Sequence, residues 1–354
     1  MKRNPKDERS AGARDTGIAI QWFGFSCRCR CRHCLLRSGA KVTTVPFQKA
    51  KALAERFVRW REANGVSGFP VDLTTGYACD SPHVLDVVRF NRTYGATSQF
   101  FSANGIGFRT EEELRRLFSS LKDAGTGIVG VTFYGLRDRH DRWAGRKGDF
   151  DYVLLVARVG AEVGLERRES IFLWRESIPD LIPLLDLLDG LPGPLRDRGL
   201  FPWDYRGRGK SLERERVTSF DVENLPERAR RLINLDGHKG YRSEAEWVRR
   251  IAAGDFSKKD RRYYCLTVWD DNIQRFEAMD CDRILQDMRD EDERLYQAIP
   301  SLPTLARLYG RKSGKRLYSL RDLEWKWTDL YLQTHPEIDN AAGFDDLGTA
   351  ILWK

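Results

Sequence analysis

The sequence predicts an α/β protein in which a parallel sheet covered by helices is followed by a smaller α+β region. Three observations support this prediction. Six short apolar segments alternate with helix-like segments across residues 17–203. The chain then becomes charged and irregular at 206–216, and an aromatic, β-branched segment follows at 262–270. Alternation of strands and helices is typical of a parallel sheet with helices outside it.

The predicted strands are apolar, β-branched or aromatic runs that are too short for helices. The first is residues 17–25, GIAIQWFGF, which ends at a group of cysteines. The later strands are predicted at 71–75, 98–103, 128–134, 170–175 and 199–203. Because a helical segment separates each strand from the next, we expect neighbouring strands to be parallel.

The predicted helices repeat apolar residues at spacings of three and four. They are placed at 47–58, 82–88, 110–125, 150–164 and 178–188. Ser81 and Pro82 are typical of an N-cap and a first-turn proline. Thr110 and Glu113 have the spacing of a capping box, and Gly125 is the expected stop of the same helix.

The C-terminal region is predicted to be a separate, smaller α+β unit. Residues 262–270 and 273–278 are predicted to be two strands of a hairpin, because Asp271 and Asn272 between them suit a two-residue turn. The predicted organisation is therefore a polar tail at 1–16, the sheet domain at 17–210 and a substrate-side region at 211–354.

Composition excludes several classes of protein. Of the 354 residues, 41% are hydrophobic and 32% are charged, which is typical of a globular protein rather than a disordered one. The net charge of +8 is spread along the chain, so nucleic acid is not an expected partner. No apolar run is long enough for a membrane span or a signal peptide, and we expect a cytoplasmic protein.

The cysteines are unevenly placed. Cys27, Cys29, Cys31 and Cys34 lie close together, whereas Cys79, Cys265 and Cys281 are scattered. This is not a disulfide framework, which small secreted domains need and a chain of this size does not. Cys27, Cys31 and Cys34 alone have the spacing C-x3-C-x2-C, directly after the first predicted strand.

Three thiolates at this spacing can hold three irons of a 4Fe-4S cluster and leave the fourth iron open to a substrate or cofactor. Tetrahedral zinc is the alternative, because Cys29 and His33 lie in the same segment. The single residue between Cys27 and Cys29 is poorly spaced for a zinc knuckle, and unligated thiols remain a third reading.

The order of motifs in residues 17–210 resembles that of radical SAM enzymes. Besides the cysteines, residues 133–165 (FYGLRDRHDRWAGRKGDFDYVLLVARVGAEVGL) resemble the fourth strand and following helix of the family. Residues 102–105 (SANG) resemble the end of its third strand. The resemblance implies a partial (β/α)6 barrel, with a 4Fe-4S cluster at the end of the first strand. It further implies cleavage of S-adenosylmethionine (SAM) to a 5′-deoxyadenosyl radical, and an external one-electron reductant such as flavodoxin or ferredoxin.

The resemblance also indicates SAM-binding residues, with departures from the family pattern. His33 stands where the family usually has an aromatic residue, and it could pack on adenine in the same way, although a solvated loop histidine is an equal alternative. Gly76 and Asp80 lie where the family has G-G-E-P, so Asp80 replaces the glutamate that would hold the SAM ammonium group, although capping of a helix is an equal alternative. Asn104 lies in the T-N-G-like segment, and Thr132 or Tyr134 replaces the serine of the fourth strand.

The family often binds the carboxylate of SAM through an arginine, because a guanidinium can form two parallel hydrogen bonds to a carboxylate. Three arginines are candidates: Arg142 and Arg146 in the H-D-x-x-x-G-R segment, and Arg175 at the end of the fifth strand. A surface or ion-paired role is the alternative for each of them. Cys29 matches no role in the family.

The C-terminal region resembles a SPASM or twitch domain that has lost its cluster cysteines, since only Cys265 and Cys281 remain there and each auxiliary cubane needs three or four. Without an auxiliary cluster as electron acceptor, a thiol is the simplest quencher of a substrate radical. Cys265 is the first candidate as hydrogen-atom donor, followed by Cys281 and Cys79; a buried cysteine acting as a small hydrophobe is the alternative for each.

The sequence therefore predicts an enzyme that abstracts hydrogen from a carbon of a natural-product substrate: a sugar, an aminocyclitol, a nucleoside or a peptide. Epimerisation or another redox-neutral change is one expected outcome. A peptide cross-linking enzyme, or a non-catalytic zinc- or cluster-binding module, is the alternative. Because the segment before the first strand is short, we expect no separate peptide-recognition domain there, which favours a small molecule or a peptide presented by another protein. No membrane partner is expected.

Overall fold

The computed structural model describes residues 14–34, 42–76, 80–96, 100–235, 240–256, 261–338 and 350–353. Its strands are β1 (Arg14–Trp22), β2 (Val71–Thr74), β3 (Phe100–Ser102), β4 (Ile128–Phe133), β5 (Glu166–Phe172), β6 (Leu195–Phe201), β7 (Arg242–Ser243), β8 (Arg261–Val268), β9 (Leu317–Tyr318) and β10 (Ala350–Trp353). The predicted series of six strands, β1 to β6, is present, each followed by helical structure.

The helices of the barrel region are α1 (Phe47–Ala63), α2 (Val84–Tyr94), α3 (Glu111–Ala124), α4 (Arg137–Ala144), α5 (Asp149–Glu162) and α6 (Leu181–Asp189). Those that follow are α7 (Ser219–Glu223), α8 (Glu227–Arg230), α9 (Glu244–Ala252), α10 (Ile273–Ala278), α11 (Cys281–Ala298), α12 (Leu302–Tyr309) and α13 (Leu320–Thr334). Two 3-10 helices span Arg175–Asp180 and Gly207–Glu215.

The strand order confirms the predicted α/β class. One sheet has the order β10-β8-β1-β2 and another has the order β3-β4-β5-β6. The pairs β1–β2, β3–β4, β4–β5 and β5–β6 are all parallel. Among the described residues no pairing closes the strands into a complete barrel, in agreement with a partial one.

The predicted hairpin at 262–278 is wrong. β8 pairs in parallel with β1, on the side away from β2, and residues 273–278 form helix α10. The reason is burial: Leu266 joins Ile20 of β1 in one core, and Ile273 and Phe276, three residues apart, enter the same core from a helix. A strand from the C-terminal region thus extends the barrel sheet. The predicted domain boundary at 210 stays a prediction.

The local signals of α3 are confirmed. Thr110 accepts a hydrogen bond from the backbone of Glu113, whose side chain returns one to the backbone of Thr110. Gly125 ends the helix with a φ of 117°. Helix α4 lies in the H-D-x-x-x-G-R segment, where the sequence predicts no helix, and it packs on α5.

Alternate residues of the strands face two environments, because successive side chains point to opposite faces of a sheet. On β1 and β8, Ile20 and Leu266 pack among residues of α1 and α11. Ala19 and Cys265 form a separate cluster with Tyr263 on the opposite face. Since the helices lie outside the sheet, this second face is the interior of the barrel. No helix in the described part of the chain is both long and apolar enough to cross a membrane.

Candidate active site

The cysteine loop leaves β1 and is held by backbone hydrogen bonds to three other parts of the barrel mouth. Arg28 donates to the carbonyl of Gly105 after β3 (2.9 Å), and Arg30 donates to the carbonyl of Ala144 at the end of α4 (2.8 Å). The carbonyl of Cys34 accepts from the backbone of Arg208 after β6 (3.1 Å). The loop therefore lies where the carboxyl ends of the strands meet, which is the end at which βα barrels assemble active sites.

The thiols of this loop lie close together. Cys27, Cys31 and Cys34 are half-buried, whereas Cys29 is buried. Hydrogen bonding with Cys29, together with burial, raises the pKa values of Cys27 and Cys31. The Sγ atom of Cys31 also lies 3.6 Å from the hydroxyl of Tyr134.

The donor set fits a 4Fe-4S cluster. Cys27, Cys31 and Cys34 offer three partly accessible thiols on one loop, and each would bind a different iron, so their sulfurs need not converge on a single point. In the described residues, no three His, Cys, Asp or Glu side chains are arranged to hold a single metal ion.

Cys29 belongs to a buried polar network that the sequence did not reveal. Its thiol lies 3.7 Å from both carboxylate oxygens of Asp149. Asp149 also lies 3.1 Å from Nε2 of His140 and 3.6 Å from Arg146. Nδ1 of His140 accepts the backbone N–H of Tyr134 (3.2 Å), so Nε2 carries the proton and donates to Asp149. The network joins the cysteine loop to α4, α5 and the residue that follows β4.

His33 is fixed within a group of aromatic rings. Its Nδ1 accepts the indole N–H of Trp143 (2.7 Å), and its ring centroid lies 4.3 Å from that of Phe172. Burial lowers the pKa of His33 to about 3, so its imidazole is neutral at physiological pH. A neutral flat ring at this position has the chemistry needed to pack on a heteroaromatic base.

Two of the other predicted cofactor residues meet directly. The side chain of Asn104 donates to the carbonyl of Thr132 (3.0 Å) and accepts from its backbone N–H (2.6 Å). Asn104 therefore fixes the end of β3 against β4.

Gly76, another predicted cofactor residue, follows β2 with a φ of 77°. A Cβ atom at this position would lie 2.3 Å from the ring of Phe23.

Asp80 is already engaged. Its carboxylate forms an ion pair with Arg109 and accepts the backbone N–H of Gly107 (2.8 Å). It thus ties the start of the α2 segment to the loop after β3. Cys79, the remaining candidate of this stretch, lies outside the described residues.

The three candidate arginines are not brought together. Arg142 and Arg175 are exposed and lie 3.7 Å from Glu176 and 3.6 Å from Asp221, respectively. Arg146 is nearly buried, donates to the carbonyl of Ile106 (2.6 Å) and packs over the ring of Phe108. Of the three, only Arg146 contacts Asp149 and so belongs to the buried polar network of Cys29.

The two candidate donor cysteines face different sides of the sheet. Cys265 pairs with Ala19 of β1 and faces the barrel interior, where burial raises the pKa of its thiol to about 12. Its neighbour Tyr263 donates a hydrogen bond to Asp72 of β2. Cys281 begins α11 and is buried on the helix side, which argues against a role as donor. His238 lies outside the described residues, and His335 stacks on Tyr331 at the end of α13.

These features define a partial barrel with a thiol-bearing loop at its mouth. No protein-family model matches the chain. A sequence relative, the Fe-coproporphyrin III synthase of Methanosarcina barkeri, is 27% identical over 134 residues, which are 37% of this chain and 32% of the relative. The match thus spans about a third of the relative's length.

Similar solved structures include radical SAM enzymes. The anSMEcpe enzyme with bound AdoMet is 12% identical, with 93% of this chain and 97% of that chain covered and a TM-score of 0.49. Escherichia coli HemN, a radical SAM coproporphyrinogen III oxidase, is 13% identical, with 61% and 50% covered and a TM-score of 0.39. Streptococcus suis SuiB bound to its precursor peptide SuiA is 13% identical, with 72% and 49% covered and a TM-score of 0.43. The chain is thus similar to radical SAM enzymes, as its motifs predict.

Proposed function

We propose that this chain reductively cleaves SAM to a 5′-deoxyadenosyl radical and uses it to abstract hydrogen from a carbon of a natural-product substrate. The observation that carries the proposal is the position of Cys27, Cys31 and Cys34 on one loop at the barrel mouth, held there by the segments after β3, α4 and β6. The substrate is a sugar, an aminocyclitol, a nucleoside or a peptide, and flavodoxin or ferredoxin supplies the electrons.

In this proposal Cys27, Cys31 and Cys34 hold a 4Fe-4S cluster, which when bound supplies the electron that breaks the sulfonium bond of SAM. The chain's own residues bind and orient SAM. The neutral ring of His33 packs on adenine. Gly76 lets the backbone after β2 approach the ligand, since it has no Cβ.

Asn104 and Thr132 form the adjoining wall through their paired hydrogen bonds. Asp80 and the arginines 142, 146 and 175 remain candidates for the ammonium and carboxylate groups of SAM. Each would have to exchange or share its present contacts.

A redox-neutral outcome is favoured by the position of Cys265. Its thiol is buried on the interior face of β8, the strand beside the one that leads into the cysteine loop. In the proposed step the S–H bond of Cys265 breaks and a C–H bond forms on the substrate radical. The resulting thiyl radical takes one electron from the external reductant and one proton from solvent to restore the thiol. Delivery to the opposite face of the carbon gives epimerisation.

The test of SAM cleavage compares single alanine variants of the loop cysteines. After anaerobic reconstitution, we expect Cys27→Ala, Cys31→Ala and Cys34→Ala each to lose bound iron, the brown thiolate-to-iron absorbance and formation of 5′-deoxyadenosine. Cys29→Ala is the matched control and keeps all three, because Cys29 lies outside the C-x3-C-x2-C spacing and its thiol contacts Asp149. Colourless wild-type protein with one zinc would instead support a non-catalytic metal-binding module.

The test of Cys265 needs a substrate, which is found by asking which compound in a candidate pool stimulates formation of 5′-deoxyadenosine. In deuterated buffer the wild type is expected to place solvent deuterium on the product carbon. Cys265→Ala should lose this label, while Cys281→Ala, which removes a buried thiol on the other side of the sheet, should keep it. Unchanged labelling in Cys265→Ala would exclude this cysteine as donor.

A further inference from the structure

Three charged side chains beside the cysteine loop lack ion-pair partners. Asp204 and Arg206 lie in the segment that follows β6, and Arg321 lies in the first turn of α13. No ion pair or side-chain hydrogen bond joins Asp204, Arg206 or Arg321 to another residue in the described ranges. Moreover, Nε of Arg206 is buried without a hydrogen-bond partner. A buried donor left unpaired is costly, and the Nε atoms of several other arginines share this feature, so an acceptor placed beside Arg206 would be stabilised.

The two arginines share one aromatic ring. The guanidinium carbons of Arg206 and Arg321 each lie 4.4 Å from the ring centroid of Trp325. Desolvation, followed by the nearby charge of Arg206, lowers the pKa of Arg321. The charges of Asp204, Asp322 and Glu324 act on Arg321 in the opposite direction. Among the described residues, however, no carboxylate lies within ion-pair distance of either guanidinium, and an oxyanion between the two would relieve their repulsion.

Solvent reaches the side chains of Asp204 and Arg321, although protein surrounds them. The side chain of Asp204 is exposed, yet desolvation and then the charge of Asp322 raise its pKa to about 6. The side chain of Arg321 is likewise exposed, although desolvation lowers its pKa. A side chain that solvent reaches while protein surrounds it lies in a cleft rather than on a convex surface, and clefts are where ligands bind.

The cleft adjoins the proposed reaction centre on two sides. Two residues after Arg206, the backbone of Arg208 donates to the carbonyl of Cys34 in the cysteine loop (3.1 Å). On the other side, the charge of Arg206 acts on the thiol of Cys265, partly opposing the effect of burial on its pKa. A ligand group held by Arg206 would therefore be near both the cysteine loop and the thiol of Cys265.

We infer that Arg206, Arg321 and Trp325 bind an oxyanion group of the substrate, a carboxylate or a phosphate, and that Asp204 accepts a hydrogen bond from a neighbouring donor of the same molecule. This inference rests on the proposed function, because it assigns the anion to the substrate and not to SAM. It makes the region after β6, together with α13, the part of the chain that selects the substrate.

The test measures anion binding directly, by isothermal titration of the reconstituted enzyme before reduction. The probes are glutarate, its uncharged analogue glutaramide and inorganic phosphate, each in the presence of saturating SAM. We expect glutarate or phosphate to bind and glutaramide not to bind. Arg206→Gln and Arg321→Gln should each weaken binding by about tenfold to a hundredfold, the usual effect of losing a charge-assisted hydrogen bond. Arg116→Gln, which removes an exposed arginine from α3, is the matched control and should bind as the wild type does.

Each outcome has a defined meaning. Tighter binding of phosphate than of glutarate identifies the group as a phosphate, and the reverse identifies a carboxylate. Asp204→Asn should bind the anion more tightly, because it removes a negative charge from the cleft. Absence of anion binding in the presence of SAM, or binding that survives both glutamine substitutions, would overturn the inference. Failure to form 5′-deoxyadenosine in the same preparation would overturn the proposed function and leave the anion result standing.

Discussion

Replacing Gly76 by alanine tests the backbone geometry of the segment that is proposed to approach SAM. Gly76 has a φ of 77°, which only glycine adopts without penalty, and the added Cβ would lie 2.3 Å from the ring of Phe23. Phe23 is fully buried and stacks on Trp269 with a centroid distance of 5.2 Å. The ring therefore cannot move aside without displacing a neighbour.

The two costs can be estimated separately. A left-handed conformation costs an alanine about 1–2 kcal/mol relative to its right-handed form. Forcing an extra carbon into a packed core costs about 1–3 kcal/mol in addition. We therefore expect Gly76→Ala to lower the free energy of unfolding by about 2–5 kcal/mol.

The assay is urea denaturation of the apoprotein, with Gly254→Ala as the matched control. Gly254 has nearly the same φ, 73°, but no atom lies within 4 Å of the position of its Cβ. The control therefore carries only the backbone cost, and the difference between the two variants measures the clash with Phe23, about 1–3 kcal/mol. Equal losses in both variants would refute the reasoning, because they would show that Phe23 yields to the new methyl group at no cost.

Two other predictions concern charged groups near the proposed substrate cleft. Desolvation and the charge of Asp322 raise the pKa of Asp204 in the folded state to about 6, whereas the pKa in an unfolded chain is about 4. The contribution of Asp204 to stability is therefore full below about pH 4 and is lost as the pH rises through 6. Denaturation midpoints of the wild type should fall over this range relative to those of Asp204→Asn, and parallel pH profiles would contradict the prediction. Arg216 is fully buried and donates to the carbonyls of Trp203 (2.8 Å) and Leu317 (3.1 Å), while lying 3.8 Å from buried Asp322. Arg216→Met should lower the free energy of unfolding by about 3–5 kcal/mol, because it leaves the buried carboxylate of Asp322 without this cation. Urea denaturation measures the loss, and a loss below about 1 kcal/mol would show that the pair is dispensable.

The parts of the fold that were predicted correctly depend on short stretches of sequence. The capping box of Thr110 and Glu113 needs four consecutive residues, and the strand at 128–134 is apolar enough to be recognised alone. Boundaries shifted where polar residues continue a strand. β5 begins at Glu166 because its alternate residues Arg167 and Glu169 are buried as an ion pair, which no hydrophobic pattern reveals.

The errors and omissions come from contacts between residues far apart in the chain. The prediction of a hairpin used the local turn signal of Asp271 and Asn272, but the partner of β8 is β1, at the other end of the barrel sequence. Cys29 and Asp149 are 120 residues apart, so their contact left no signal in either segment. The same holds for Arg206 and Arg321, which only the folded chain brings to one tryptophan ring.

The sheet order brings the C-terminal region to the site that we propose. Because β8 lies beside β1, the region after 210 places Cys265 in the barrel interior, next to the strand that leads into the cysteine loop. The same region contributes Arg321 and Trp325 to the cleft beside that loop. The residues proposed to hold the cluster and SAM lie instead on β1 to β5 and the loops and helices that connect them. Changes in β8 and α13 should therefore alter which substrate is turned over and how its radical is quenched, while cleavage of SAM without substrate continues.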